Sequence, residues 1–222
     1  MEQLLTANVA NGLYWLGRYL ERIESTLNEI IITFDDIIDV DKTSGKKLFK
    51  RLDIDIKYKN ANDFLSQAVF GEHESNIYTL ISNIRENAII CRAYLDLNAF
   101  GSIIEFSETL KQANNDNFVI DCSFVEKMSS RVSEIWGELT RKQERNTSDY
   151  FIRLGKLVEK VDFHLRLKRD KSFSLVIMDE IDIIVSRLNP DAQFVVHGER
   201  ESYDTILNSI NSKIDKIIVT QQ

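Results

Sequence analysis

Three charged side chains recur at the same spacing in two distant stretches of this sequence. Arg18, Glu21 and Arg22 lie in Leu16-Gly17-Arg18-Tyr19-Leu20-Glu21-Arg22-Ile23-Glu24, and Lys156, Glu159 and Lys160 in Leu154-Gly155-Lys156-Leu157-Val158-Glu159-Lys160-Val161-Asp162, 138 residues later. Carboxylates and cations so arranged admit three kinds of chemistry. They can form local i,i+3 pairs, Arg18 with Glu21 and Lys156 with Glu159, worth only about 0.2–0.5 kcal/mol each. They can pair across helices, between the two copies or with Arg85-Glu86. Removing one partner of such a buried pair would cost roughly 3–5 kcal/mol. Or they can line a polar recess that holds a ligand, with Glu21 or Glu159 as an acid/base residue. That last role requires a carboxylate able to exchange its proton near neutral pH, a demand that neighbouring cations oppose.

Other reactive groups are sparse. His73, His164 and His197 are the only histidines, and none sits in the Glu-x-x-His spacing of a di-iron bundle. Cys91 falls on an apolar stripe and reads as core; Cys122 follows Asp121 at a helix start, where a modestly lowered thiol pKa is expected. The two cysteines have no metal-ligand spacing. Neither phosphate-cradling glycine motif occurs, so no nucleotide, metal or other cofactor is expected. Trp15 and Trp136 read as packing anchors.

The elements that must position these groups are helices. Apolar residues recur at steps of three and four: Leu13, Leu16, Leu20, Ile23, Leu27, Ile30, Phe34 and Ile37 in the first, with Thr6 or Asn8 as cap. A second follows Ser75 (Ile77, Ile81, Ile84, Ala88, Cys91, Leu95), and a third carries Val125, Met128, Val132, Ile135 and Leu139. A fourth follows a Thr147-Ser148 cap with Phe151, Leu154, Val158, Val161 and Leu165. Two more carry Ile177, Ile181, Ile184 and Leu188, stopped by Asn189-Pro190, and Tyr203, Ile206, Ile210, Ile214 and Ile217. Further helical patterns lie at 46–53, 62–70 and 100–113, and Phe194-Val195-Val196 reads as a brief extended stretch. The expectation is an all-α protein, a single helical bundle of about six or more helices over residues 1–222, with an internal helix repeat.

The copies also align their seams: Leu13 with Phe151, Leu16 with Leu154, Leu20 with Val158, Ile23 with Val161, Leu27 with Leu165. Gly17 and Gly155 flank the seam without ending either helix. A mid-helix glycine costs roughly 0.5–1 kcal/mol against alanine, so a close approach by a neighbouring backbone or side chain is expected there.

Bulk composition bounds the partners. With 28 basic and 35 acidic residues, net charge −7 and a pI near 5.1, broad binding to nucleic acid or anionic membrane is disfavoured. The cluster Lys46-Lys47…Lys50-Arg51 reads as a solvated face. The opening residues lack a secretory signal and no apolar run reaches the ~20 residues of a membrane span, so a cytoplasmic location is expected.

The opening Asn8-Val9-Ala10-Asn11-Gly12-Leu13-Tyr14-Trp15-Leu16-Gly17-Arg18-Tyr19-Leu20-Glu21-Arg22-Ile23-Glu24 resembles that of the bacterial Alpha-E family, an α-helical domain with a Glu-Arg motif. Arg85-Glu86-Asn87-Ala88 and Leu154 to Lys160 match its central and late motifs in order, so the resemblance spans about residues 8–170. Lys156 and Lys160 stand where the family usually has Arg, which keeps the charge and loses the bidentate fork. Residues 171–222 have no assigned place in the pattern. The resemblance implies partners, a circularly permuted ATP-grasp protein and a transglutaminase-like peptidase, in a system that makes, attaches or removes a short peptide. The helical chain would be a scaffold or substrate-presenting component, leaning away from an enzyme. Its motif set would be Tyr14, Trp15, Gly17, Arg18, Glu21, Arg22, Arg85, Glu86, Asn87, Gly155, Glu159 and Lys160, with the charged groups of three helices converging.

Overall fold

A computed structural model describes residues 5–116, 118–141, 145–191 and 202–219. Among them nine α-helices occur and no strand: α1 (Ala7–Asp39), α2 (Ser44–Arg51), α3 (Ala61–Phe70), α4 (Ile77–Ile90), α5 (Leu97–Asn115), α6 (Cys122–Thr140), α7 (Thr147–Arg166), α8 (Lys171–Leu188) and α9 (Tyr203–Val219). The all-α expectation holds. The Phe194-Val195-Val196 stretch and His197 lie outside the described residues, as does the side chain of Tyr203.

Local chemistry sets the helix starts. Thr6, not Asn8, opens α1: its hydroxyl accepts from the Val9 amide at 3.4 Å. The side chains of Asn60, Asn76, Asp96, Asp121 and Asp170 each accept a first-turn amide of α3, α4, α5, α6 and α8. At α7 the cap is Asn146, one residue before the expected Thr147-Ser148. Asp149 returns a bond to the Asn146 amide at 2.9 Å, completing a capping box. The stripe read from Ile77 to Leu95 is also shorter as a helix. α4 ends at Ile90, Cys91 caps it, and a single 3-10 turn over Arg92–Tyr94 follows.

The contacts within this all-helical chain gather into two compact units. The first comprises Met1–Glu21 with Lys142–Gln222, the second Arg22–Arg141. In the first, α7 packs on α8 and α9, and α8 on α9, with the opening of α1 completing the set. Its core holds Leu13, Leu16, Phe151, Leu154, Val158 and the inner isoleucines of α8 and α9, all buried. In the second, the remainder of α1 is followed by α2 and α3, then by successive packing of α3 on α4, α4 on α5 and α5 on α6. Phe49 and Phe64, edge to face at 5.9 Å, anchor its core with Ile81, Ile84 and Phe106. All ten aligned seam residues of the two sequence copies are buried.

No helix among the described residues is long and apolar enough to cross a membrane.

Candidate functional site

Gly17 and Gly155 mark the place where α1 and α7 come closest. A Cβ on Gly17 would lie 2.1 Å from the carbonyl oxygen of Ile152; one on Gly155 would lie 2.0 Å from that of Tyr14 and 2.8 Å from the Arg18 amide nitrogen. Real Cβ atoms do not approach so closely, so only glycine lets the two backbones touch. The partners run in opposite order, 14 against 155 and 17 against 152, so the helices cross antiparallel. Shifting either number by the 138-residue offset turns one contact into the other. The expected offset to the cost of a mid-helix glycine is therefore a backbone, met reciprocally.

The charged groups follow the same reciprocity. The Arg18 guanidinium donates through Nε to Glu159 Oε2 at 2.8 Å, and its Nη2 lies 2.7 Å from the same oxygen and 3.3 Å from Asp162 Oδ2. The corresponding pair from the other side joins Lys156 Nζ to Glu21 Oε2 at 3.7 Å. Arg166, one turn beyond Asp162, donates to Asp162 Oδ1 at 2.8 Å. Three carboxylates, Glu21, Glu159 and Asp162, are thus buried among three cations, Arg18, Lys156 and Arg166, and the cluster is formally neutral. The cross-helix reading of the motif holds for these pairs.

Aromatic rings close the Arg18 side. The guanidinium lies 5.1 Å from the Trp15 ring centre and 5.9 Å from that of Tyr14, and Tyr19 stacks on Trp15 at 5.3 Å. Burial alone would favour a neutral Arg18, but Glu159 in the first place, with Tyr14 and Asp162, holds the guanidinium above its ordinary range. Burial pushes the Tyr14 phenol up as well, against the pull of Arg18 beside it. The arrangement fixes charge, and its guanidinium stays protonated at every physiological pH.

Lys160 is half-buried on α7 with its ammonium 5.8 Å from the Phe173 ring centre. Arg22 opens the second unit. Arg85, Glu86 and Asn87 stand on α4 in that unit, where Arg85 Nε lies 4.0 Å from Glu108 on α5, both side chains well exposed. The structure thus joins the charged groups of α1 and α7. Sequence reading left out Asp162 and Arg166 from the cluster, though Asp162 stands inside the second copy and Arg166 one turn on. Their signal was the i,i+4 spacing of acid and base. Cys122 also differs from expectation: partial burial, then Asp35, Glu126 and Asp121, push its thiol up, outweighing any benefit from the helix start. Among the described residues no group of three or more potential ligands could hold a metal.

The fold and this crossing define a class of all-helical protein in which the motif carboxylates Glu21 and Glu159 are built into a helix–helix contact. The sequence profile of Alpha-E, described as a predicted alpha-helical domain with a conserved ER motif, matches residues 5–214, and the chain belongs to that family. The match extends past residue 170, so α8 and most of α9 are part of the family domain, a place the sequence reading had not assigned them. No curated protein and no solved structure proved similar enough to add to this.

Proposed function

We propose that this chain is a structural component, a scaffold or substrate-presenting partner, of an ATP-grasp-linked system that synthesises or modifies a short peptide. The observation that carries the non-catalytic half of this reading is the neutral, buried cluster at the Gly17–Gly155 crossing. Glu159, the carboxylate of the second motif copy, is engaged by Arg18 at 2.7–2.8 Å, and Asp162 is shared between two arginines. Groups so committed are suited to holding two helices in register. The alternative, Glu21 or Glu159 as acid/base in a polar recess, asks the same atoms to release their partners during each turnover.

The partner half of the reading rests on family membership. A circularly permuted ATP-grasp protein would supply the ligase chemistry and a transglutaminase-like peptidase would act on the product. Two measurements test both halves. Co-expression with an ATP-grasp partner from the same genome should yield a stable complex by gel filtration, and separate elution would overturn the partnership. In the reconstituted system, Glu21→Gln should change ATP-dependent product formation only as far as it lowers the melting temperature. Abolished turnover with unchanged melting would favour the acid/base alternative.

A further inference from the structure

The outer face of α8, in the first unit, is an apolar helix surface framed by cations that, among the described residues, have no carboxylate partner. Phe173, Val176 and Ile183 point outward, 44%, 67% and 57% exposed, and with Glu180 and Arg187 they form one stripe at steps of three and four. On the α7 side the stripe is walled by Arg153, ion-paired to Glu180, and by His164, whose ring stacks on Phe173 at 4.7 Å.

Three cations stand around this stripe. Lys160 on α7 has its ammonium 5.8 Å from the Phe173 ring centre. Arg187, at the far end, donates to the Tyr150 hydroxyl at 2.7 Å and lies 5.7 Å from that ring's centre. Lys168 follows α7 and is exposed. Its backbone is left-handed, φ 54°, and closes α7 through bonds from Lys168 N to Leu165 O and from Arg169 N to His164 O, both 3.0 Å. Glycine would sit at that position without strain; a lysine there keeps a cation in the turn between α7 and α8, shortly before Phe173 in the chain. The nearby acids are already used. Asp162 is held by Arg18 and Arg166, Asp170 caps α8, and Asp182 pairs with Lys213 on α9. Asp179 on α8 is exposed.

We propose that this face of α7 and α8 docks an amphipathic helix of a partner protein, apolar along one seam and carrying carboxylates at its flanks. The stripe from Phe173 to Arg187 covers roughly 21 Å at 1.5 Å per residue, the length of about four turns. Three apolar positions give the seam, and Lys160, Lys168 and Arg187 read the flanking acids. In a chain of net charge −7, a cationic frame around an apolar stripe selects an acidic partner and discourages pairing with other acidic surfaces. This proposal is independent of the reading of the Glu-Arg crossing.

The test uses the full chain and a fluorescein-labelled 16-residue peptide of Leu and Glu in helical order, followed by anisotropy. Binding should weaken more than tenfold with Val176→Glu plus Ile183→Glu, both at exposed positions, and should fall as NaCl is raised from 50 to 300 mM. Lys168→Gly should weaken binding about threefold while leaving the melting temperature equal or higher, a combination that a merely structural lysine would not give. Charge reversal at Lys46 and Lys50 in the second unit should leave binding unchanged. Equal binding by the variants, or by a scrambled peptide of the same composition, would overturn the proposal. So would a dimer of this chain that dissociates in the Val176→Glu, Ile183→Glu variant, or association with phosphatidylglycerol vesicles and not with the peptide.

Discussion

The two arms of the α1–α7 crossing are images of each other in sequence and differ in how they hold their charge. On one arm, Arg18 sends two nitrogens to Glu159 and a third contact to Asp162, and only 11% of its side chain meets water. On the other, Lys156 reaches Glu21 at 3.7 Å with 28% of its side chain exposed. The contrast follows from the cation. A guanidinium is a planar fork that can satisfy two carboxylates at once and tolerates partial loss of water; an ammonium is a compact, strongly hydrated charge that keeps some of its water. One helix contact, built twice, therefore has a dry half and a wetter half. The glycines are equally tight on both sides, so the asymmetry lies in the side chains and not in the approach of the backbones.

The largest way to break this comparison is to remove each cation in turn. Arg18→Met strands Glu159 and half of Asp162's partners, and should cost roughly 3–5 kcal/mol in urea unfolding. Lys156→Met should cost no more than about half as much, because water already shares the load on that arm. Equal losses would mean that the two arms are energetically alike whatever their geometry. Next come the glycines. Gly17→Ala and Gly155→Ala should each destabilise by about 1–3 kcal/mol through forced separation of the helices, and by similar amounts since their contacts are reciprocal. Helix propensity alone predicts the opposite sign, a gain of nearly 1 kcal/mol. A stabilised alanine variant would thus remove the close crossing from consideration.

A gain is also expected. Lys156→Arg restores the fork on the wetter arm, and a double-mutant cycle with Glu21→Gln should give a stronger coupling than the native pair, by up to about 1 kcal/mol. Unchanged coupling would show that backbone position, not the cation, sets the 3.7 Å separation. The smallest effect concerns pH. Neither arm contains a histidine, whereas burial lowers the pKa of His73 in the second unit and of His164 beside Phe173. A histidine with a depressed folded pKa binds fewer protons folded than unfolded over the interval below about 6.5. Stability should therefore fall as pH drops through that interval and level off below the folded values. Replacing His73 with Gln should flatten the slope, while Arg18→Met should displace the whole curve and keep that slope.

Much of the fold could be read directly because a single proline and few glycines leave the apolar periodicity uninterrupted. The patterns at 46–53, 62–70 and 100–113 became α2, α3 and α5, each within three residues of its observed bounds. Errors came at the ends, where the deciding bonds are local and polar. Asn146 rather than Thr147 caps α7 because Asp149 can answer it, and the apolar stripe past Ile90 continues through a cap and a 3-10 turn that periodicity does not distinguish from helix. The thiol of Cys122 differs from expectation for a related reason: the helix start was visible in sequence, but the burial of the thiol and the closeness of Asp35 from α1 were not.

By itself the amino-acid order determined that the chain is helical, that two segments carry one motif, and that their glycines need a close neighbour. It left the pairing of charges open, since an acid and a base three residues apart can meet on one helix or turn to face another. Tertiary structure decided this by bringing two backbones within reach of a glycine Cα, in opposite directions. That places each cation beside the carboxylate of the other segment, and Arg85 beside Glu108 in a different unit. The physical reason is range. Helix formation answers to neighbours within four residues, while the partner of a buried charge is whichever opposite charge the packing delivers, here 141 residues away along the chain.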